Sequence, residues 1–138
     1  MVLREEKSVA AVVYNKKQYL LLKYELGHWE FVKGHIEQGE TERETVMREL
    51  KEETGITDAS IIDGFKEKYD YFFASSGNKI HKYVTCYLIK ANTKKVSLSY
   101  EHVDYNWLPF KPAKEQLTYK NAKNILTKAH NFRNLTSS

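Results

Sequence analysis

The chain has 138 residues, of which 41% are hydrophobic and 29% are charged, so its composition excludes a disordered protein and its length fits one domain over residues 1–138. No apolar run is long enough to cross a membrane, and the single cysteine, Cys86, leaves no internal disulfide, so we expect a cytoplasmic protein. The net charge of +4 favours polyanionic ligands such as phosphate chains.

The N-terminal quarter of the chain predicts a β-hairpin. Residues 8–14 and 18–24 are apolar runs rich in β-branched and aromatic residues, as in buried strands, and residues 15–17 between them predict a turn. The next segment, residues 26–33, is predicted to be a loop around Trp29, whose ring either forms a wall of the site or packs into the core, with the core favoured.

A helix is predicted to follow Thr41. Thr41 and Glu44 have the spacing of a capping box at its start, and Gly55 suits its C-terminal stop. The apolar stripe that packs this helix on the core consists of Val46, Met47 and Leu50.

The rest of the chain predicts further strands and then helices. The predicted strands cover residues 60–73 with a bend at Gly64, residues 79–90 after a turn at 75–78, a short edge strand at 96–99, and residues 105–108 after a polar loop at 101–104. A helical turn at 114–118 follows two prolines, and a longer helix at 119–132 has Ala122, Ile125, Leu126 and Ala129 facing inward. This order predicts an α/β fold with a mixed sheet between helices.

Three glutamates of the first helix share one face. Glu49, Glu52 and Glu53 stand at positions i, i+3 and i+4, where like charges repel each other. A hard divalent cation such as Mg²⁺ offsets that repulsion and prefers oxygen ligands, whereas the alternative is a solvated acidic face. Arg48 lies beside the acidic face, where its planar guanidinium can pair with Glu40 or fix a helix carboxylate.

The motif at residues 34–56 reads GHIEQGETERETVMRELKEETGI. It resembles the Nudix box at every fixed position of that pattern: Gly34, Glu40, Arg48, Glu49, Leu50, Glu52, Glu53, Gly55 and Ile56. The resemblance implies an α/β/α sandwich with a mixed sheet. It also implies hydrolysis of a nucleoside diphosphate linked to another group, with Mg²⁺ or Mn²⁺ bound by the loop and helix of the motif.

Stretches outside the motif are similar to the asymmetric diadenosine tetraphosphate hydrolases. These stretches are HWEFVKGHIEQGE, IIDGFKEKYDYF and YEHVDYNWL, although Glu30-Phe31-Val32 stands where that family commonly has a proline-rich segment. The similarity implies cleavage of diadenosine tetraphosphate to ATP and AMP. The alternatives are an RNA 5′-pyrophosphohydrolase, whose partner is an RNA 5′ end, a general nucleoside triphosphate or ADP-ribose hydrolase, and a nucleotide-sensing module without activity.

The chemistry assigns roles to the acidic residues. The carboxylates of Glu49, Glu52 and Glu53 are predicted metal ligands, with the Gly34 carbonyl as an extra one, and the family resemblance implies that Glu101 is also a ligand. A carboxylate must also accept the proton of the attacking water, and the candidates are Glu49, Glu53 and Glu101. Glu49 is favoured over Glu101 as that base, and Arg48 completes the predicted catalytic group.

Other residues are predicted to bind a small nucleotide substrate. Lys33 and Lys82 are candidates for phosphate binding as point charges, and His35 for hydrogen bonding to a phosphate oxygen. The candidates for stacking on an adenine base are Tyr69, Tyr71, Tyr83 and Tyr119. The remaining histidines, at positions 28, 81, 102 and 130, are assigned to the surface or to packing. We expect no membrane partner, and a monomer or a weak dimer.

Overall fold

A mixed sheet of seven strands runs through the computed structural model, which describes residues 3–136. The strands are β1 (Leu3–Asn15), β2 (Gln18–Tyr24), β3 (Trp29–Glu30), β4 (Val32–His35), β5 (Ala59–Ser75), β6 (Asn78–Ala91) and β7 (His102–Leu108). Their main order is β3-β2-β1-β6-β5, with β4 also paired to β1 and β7 to β2. β1 and β6 are parallel, and the other pairs are antiparallel.

The predicted hairpin of β1 and β2 is present. Tyr14 pairs with Tyr19 across a two-residue turn in which Lys16 has a φ of 54°. β2 has the predicted bounds, but β1 begins at Leu3, five residues earlier than predicted. The polar residues before Ser8 are strand because they pair with β6, from Leu3 with Lys79 onward, and apolar patterning does not reveal such pairing.

The loop predicted at residues 26–33 is wrong, because two short strands occupy its second half. β3 pairs with β2 through Leu22 and Glu30, and β4 pairs with β1 from Ser8 to Ala11. Trp29 is partly buried against the core, as predicted. The pairing of β4 fixes the segment that leads into the first helix.

Helices cover both faces of the sheet, which confirms the predicted sandwich. They are α1 (Glu42–Thr54), α2 (Phe110–Gln116) and α3 (Lys120–Thr136). Val46 and Leu50 of α1 are buried in one apolar cluster, while the four predicted inward residues of α3 are buried in the cluster on the other face together with Cys86. None of the helices within the described residues is long and apolar enough to cross a membrane.

The predicted caps of α1 are present. The Thr41 side chain accepts a hydrogen bond from the backbone N–H of Glu44, and the Glu44 carboxylate accepts one from the backbone N–H of Thr41. Gly55 ends the helix in the left-handed conformation with a φ of 74°, where glycine has no Cβ to strain. These caps fix where the acidic face of α1 begins and ends.

The predicted bend of β5 is present at Gly64, whose φ is +96° and where the pairing with β6 shifts register between Ile61 and Lys66. A Cβ at Gly64 would lie 3.2 Å from the Phe132 ring of α3. The bend and the missing side chain together let α3 lie close to the strand.

The edge strand predicted at residues 96–99 is wrong. The backbone N–H groups of Ser97 and Ser99 donate to the carbonyls of Thr54 and Glu53 at the end of α1, so no sheet neighbour is left for them. The polar loop predicted at 101–104 is wrong from His102, where β7 already begins.

The last two helices are longer than predicted. α2 begins at Phe110, directly after Pro109, and Pro112 lies in its first turn, where a missing N–H interrupts no helical hydrogen bond. α3 continues to Thr136, four residues beyond the predicted end.

We expect Thr41→Ala to lower the free energy of unfolding by about 1 kcal/mol, because the variant loses the side-chain cap of α1. That change corresponds to a fall in Tm of about 3–5 °C for a chain of this size. Thr57→Ala, at an exposed position after the helix, is the matched control. Thermal unfolding followed by circular dichroism measures both variants, and equal Tm values for the two would contradict the capping role.

Candidate active site

A cavity of about 880 Å³ lies beside the acidic face of α1. It is bounded by the end of β4, by β5 and β6, and by the start of α3. The predicted site residues that line it are Lys33, Gly34, His35, Glu49, Glu52, Glu53, Tyr69, Tyr71, Lys82, Glu101 and Tyr119. The fold therefore brings together, from four elements and two connecting segments, residues that are up to 86 positions apart in the chain.

Glu53 and Glu49 form a close pair of carboxyl groups at the base of this cavity. The Glu53 side chain is buried, and its pKa is raised well above the ordinary value by that burial and by the hydrogen bond and charge of Glu49. Gly34 lies against Glu49 of this pair, since a Cβ at that position would lie 2.1 Å from Cδ of Glu49. Only glycine leaves room for the Glu49 carboxylate here.

Arg48 holds the carboxylates around it. Its Nε and Nη2 donate to the two Glu40 oxygens at 2.6 and 3.0 Å, and its Nη1 donates to Glu49 at 2.8 Å and to Glu52 at 3.0 Å. The guanidinium holds the pKa of Glu40 down at about 2. Arg48 therefore pairs both with Glu40 and with helix carboxylates, the two kinds of partner predicted from the sequence. Nη2 also donates to the His35 carbonyl, so Arg48 ties β4 to the helix.

Within residues 3–136, no group of three or more acidic, histidine or cysteine side chains has the geometry of a ready-made metal site. The donors nevertheless suit a hard divalent cation, because they are carboxylate oxygens crowded on one helix face. Arg48 hydrogen-bonds Glu49 and Glu52, whereas no lysine or arginine within residues 3–136 supplies a positive charge to the buried carboxyl group of Glu53 through an ion pair. A bound divalent cation would supply that charge.

Two lysines bring positive charge to the cavity. Lys33 Nζ lies 3.4 Å from the Tyr71 hydroxyl and 3.6 Å from the buried carboxylate of Glu30. The pKa of Lys82 is lowered by its burial and by the nearby charge of Lys33. A polyanion that binds between these ammonium groups would relieve their mutual repulsion.

Aromatic rings form two groups in the wall of the cavity. Tyr24 and His28 stack with centroids 4.6 Å apart, and His28 lies 5.6 Å from Tyr119. Tyr69 and Tyr71 stack at 6.2 Å on β5. Tyr24, His28 and Glu30 were not among the predicted site residues. His28 and Glu30 lie in HWEFVKGHIEQGE, and the resemblance of that stretch to the hydrolase family is the feature of the sequence that points to them.

The structure does not bring Tyr83 to the cavity, so its selection as a base-stacking residue is corrected. Side chains alternate across a strand, and Lys82 faces the cavity, so its neighbour Tyr83 faces away. The Tyr83 hydroxyl donates to Glu5 at 3.0 Å, and its ring contacts His81.

The amino-acid sequence and the fold are both similar to those of known proteins. A sequence model of the NUDIX domain matches residues 4–129. The chain is 33% identical over 119 residues to the asymmetrical bis(5′-nucleosyl)-tetraphosphatase of Mus musculus, which covers 83% of this chain and 80% of that one. The crystal structure of a C. elegans Ap4A hydrolase binary complex superposes with a TM-score of 0.80, 31% identity and coverage of 92% and 96%. An RNA pyrophosphohydrolase of Nitratiruptor sp. is 32% identical over 97 residues, covering 66% of this chain and 63% of that one.

We expect Glu40→Gln to lower Tm at neutral pH, with the difference from the parent shrinking as the pH falls through 2. The pKa of Glu40 falls from 4.5 to about 2 on folding because of Arg48, so the stabilisation is full above about pH 4.5 and disappears as the pH falls through 2. Thermal unfolding of parent and variant across this range measures the effect. Glu25→Gln, at an exposed turn, is the control. A Tm difference that is the same at all pH values would exclude the ion pair as its source.

Proposed function

Because the chain belongs to the NUDIX family of hydrolases that act on phosphoric anhydrides, we propose that it cleaves diadenosine tetraphosphate asymmetrically to ATP and AMP. One observation carries this choice of substrate. A single cavity combines the acidic face of α1, two lysines, and two groups of stacked aromatic rings, so it offers sites for a phosphate chain and for a nucleobase. The named relatives that match this chain nearly end to end support the same substrate.

The proposed cofactor is Mg²⁺ or Mn²⁺, held by Glu49, Glu52, Glu53, Glu101 and the Gly34 carbonyl. When bound, such an ion neutralises phosphate charge and lowers the pKa of a coordinated water. Lys33 and Lys82 are proposed to bind the phosphates as point charges. His35 is proposed to form a hydrogen bond with a phosphate oxygen. Tyr119 and the Tyr69–Tyr71 pair are proposed to hold an adenine ring by stacking.

We assign the general base to Glu49 in preference to Glu101. Arg48 fixes one Glu49 oxygen at 2.8 Å, and Glu49 lines the cavity on the acidic face of α1. Glu101 is exposed on the segment before β7 and lines the same cavity, so it is the second candidate. A base must lie within hydrogen-bond reach of the attacking water, and Glu49 and Glu101 both line the cavity in which we propose that substrate binds.

Hydrolysis of triphosphorylated RNA 5′ ends is the second candidate function. The similarity to RNA pyrophosphohydrolases favours it, although the Nitratiruptor match spans less than two thirds of that protein. General nucleoside triphosphate or ADP-ribose hydrolysis uses the same acidic face. A nucleotide sensor without activity is disfavoured, because every carboxylate of the motif is retained. The cytoplasmic location and the monomer or weak dimer remain predictions.

The proposed reaction predicts that diadenosine tetraphosphate gives ATP and AMP in equal amounts. In water labelled with ¹⁸O, the label should enter only one of the two products, because a chain anchored at one end presents a fixed phosphorus atom to the water. Mass spectrometry of the products measures both outcomes. The same assay should include 5′-triphosphate RNA, ADP-ribose and nucleoside triphosphates. Two molecules of ADP per substrate would exclude the asymmetric cut, and a higher kcat/KM on RNA would assign the function to the second candidate.

Lys82→Ala and Tyr119→Ala should each raise KM about ten- to a hundredfold with a smaller change in kcat, because both residues would bind ground and transition states alike. The expected size follows from about 1.5–3 kcal/mol for a charged hydrogen bond and about 1–3 kcal/mol for base stacking. Tyr83→Ala is the matched control on the opposite face of β6, and its KM should stay at the parental value. Steady-state kinetics distinguishes the variants, and an equal rise for Tyr83→Ala would refute the assignment.

A further inference from the structure

His102 carries a buried nitrogen that the proposed reaction does not use. Its side chain has no solvent exposure, and within the described residues its Nε2 atom has no hydrogen-bond partner. That atom lies 3.5 Å from Oε1 of Glu53. Buried polar atoms without a partner are rare and cost free energy, so this one calls for an explanation.

The rest of the imidazole is held firmly. Nδ1 lies 3.1 Å from the Ser99 hydroxyl, and the ring meets the Tyr24 ring edge-on with centroids 4.4 Å apart. When the Ser99 hydroxyl donates to Nδ1, the single proton of the neutral ring resides on Nε2. The Nε2–H group then points at the Glu53 carboxylate. Closing the separation to a hydrogen bond of about 3.0 Å requires a side-chain movement of only about 0.5 Å.

The backbone around His102 is tied to the same glutamate. The N–H of Ser99 donates to the Glu53 carbonyl at 3.2 Å, and the N–H of His102 donates to the Ser99 carbonyl at 3.2 Å. Ser97 makes the corresponding bond to Thr54. The segment before β7 is therefore laid along the end of α1, and His102 is the residue whose side chain reaches back to the helix. Its neighbour Glu101 lines the cavity.

We propose that His102 is a positioning residue whose Nε2–H orients the Glu53 carboxylate for divalent-cation binding and fixes the segment that carries Glu101. This inference rests on the proposed role of Glu53 and Glu101 as metal ligands. A ligating carboxylate needs an outer partner to fix its orientation, and loss of such a partner commonly weakens metal affinity about 10- to 100-fold. His102 both contacts the Glu53 carboxyl group, at 3.5 Å, and is adjacent in sequence to Glu101.

The test measures Mn²⁺ binding by electron paramagnetic resonance on the metal-free, substrate-free protein. His102→Phe keeps the ring but removes the donor, and it should weaken Mn²⁺ affinity about 10- to 100-fold. His102→Gln places an amide N–H near the Nε2 position and should stay within a few-fold of the parent, whereas His102→Asn reaches only the Nδ1 position and should behave like the phenylalanine variant. If His102→Phe does not fold, the comparison of Mn²⁺ affinity between His102→Gln and His102→Asn still tests the role of Nε2–H.

His130→Phe is the matched control. His130 is half-buried on the other face of the sheet, where its Nδ1 lies 2.8 Å from the Tyr19 hydroxyl. This variant should lower Tm and leave Mn²⁺ affinity unchanged. Parental Mn²⁺ affinity in His102→Phe or His102→Asn, or equal loss in His102→Gln and His102→Asn, would overturn the positioning role. A parent that binds no Mn²⁺ would overturn it together with the ligand assignment, whereas a different substrate in the hydrolysis assay would overturn only the proposed reaction.

Discussion

The guanidinium of Arg48 is the interaction on which the site depends. It lies within 3.5 Å of carboxylate oxygens from four glutamates, at positions 37, 40, 49 and 52, and it donates to the His35 carbonyl. Without it, the acidic face of α1 would carry unbalanced like charges beside a buried carboxyl group. Arginine stays charged at every physiological pH, and its planar fork satisfies several oxygens at once. The loop, the end of β4 and the helix are thus joined at one point.

β1 places the other half of the site. It pairs with β4 on one edge and with β6 on the other, so Lys33 and Gly34 lie on one side of it and Lys82 on the opposite side. β2 leaves β1 after two residue pairs and joins β7 instead. The candidate phosphate-binding residues and the acidic helix α1 therefore meet because one central strand holds both neighbours in register.

The parts of the fold that the sequence predicts correctly are those fixed by nearby residues. The α1 caps, the turn before β2 and the bend at Gly64 depend on local φ values and local hydrogen bonds. The errors at residues 26–33 and 96–99 have a common physical cause. Those segments find their backbone partners in distant elements, and no local pattern records which partner is chosen.

The candidate site divides in the same way. The acidic residues can be predicted from the sequence, because one helix carries three of them at positions i, i+3 and i+4. Tyr24 and His102 join the site through the pairing of β2 with the remote strand β7, and His28 joins it by stacking on Tyr24, so the sequence assigns His28 and His102 to surface or packing. The Tyr83 error was avoidable, because consecutive residues of a strand cannot both face one cavity, and Lys82 was already selected.

The parallel pairing of β1 with β6 also has a consequence for folding. The hairpins β1–β2 and β5–β6 each close over short turns, but Leu3 meets Lys79 only after a long loop is closed, and such nonlocal contacts form slowly. Lys33 and Lys82 come together only in that step, since they sit on strands at the two edges of β1. A partly folded chain with both hairpins complete does not bring Lys33 and Lys82 together, so we expect hydrolytic activity to return during refolding only when the whole sheet has formed.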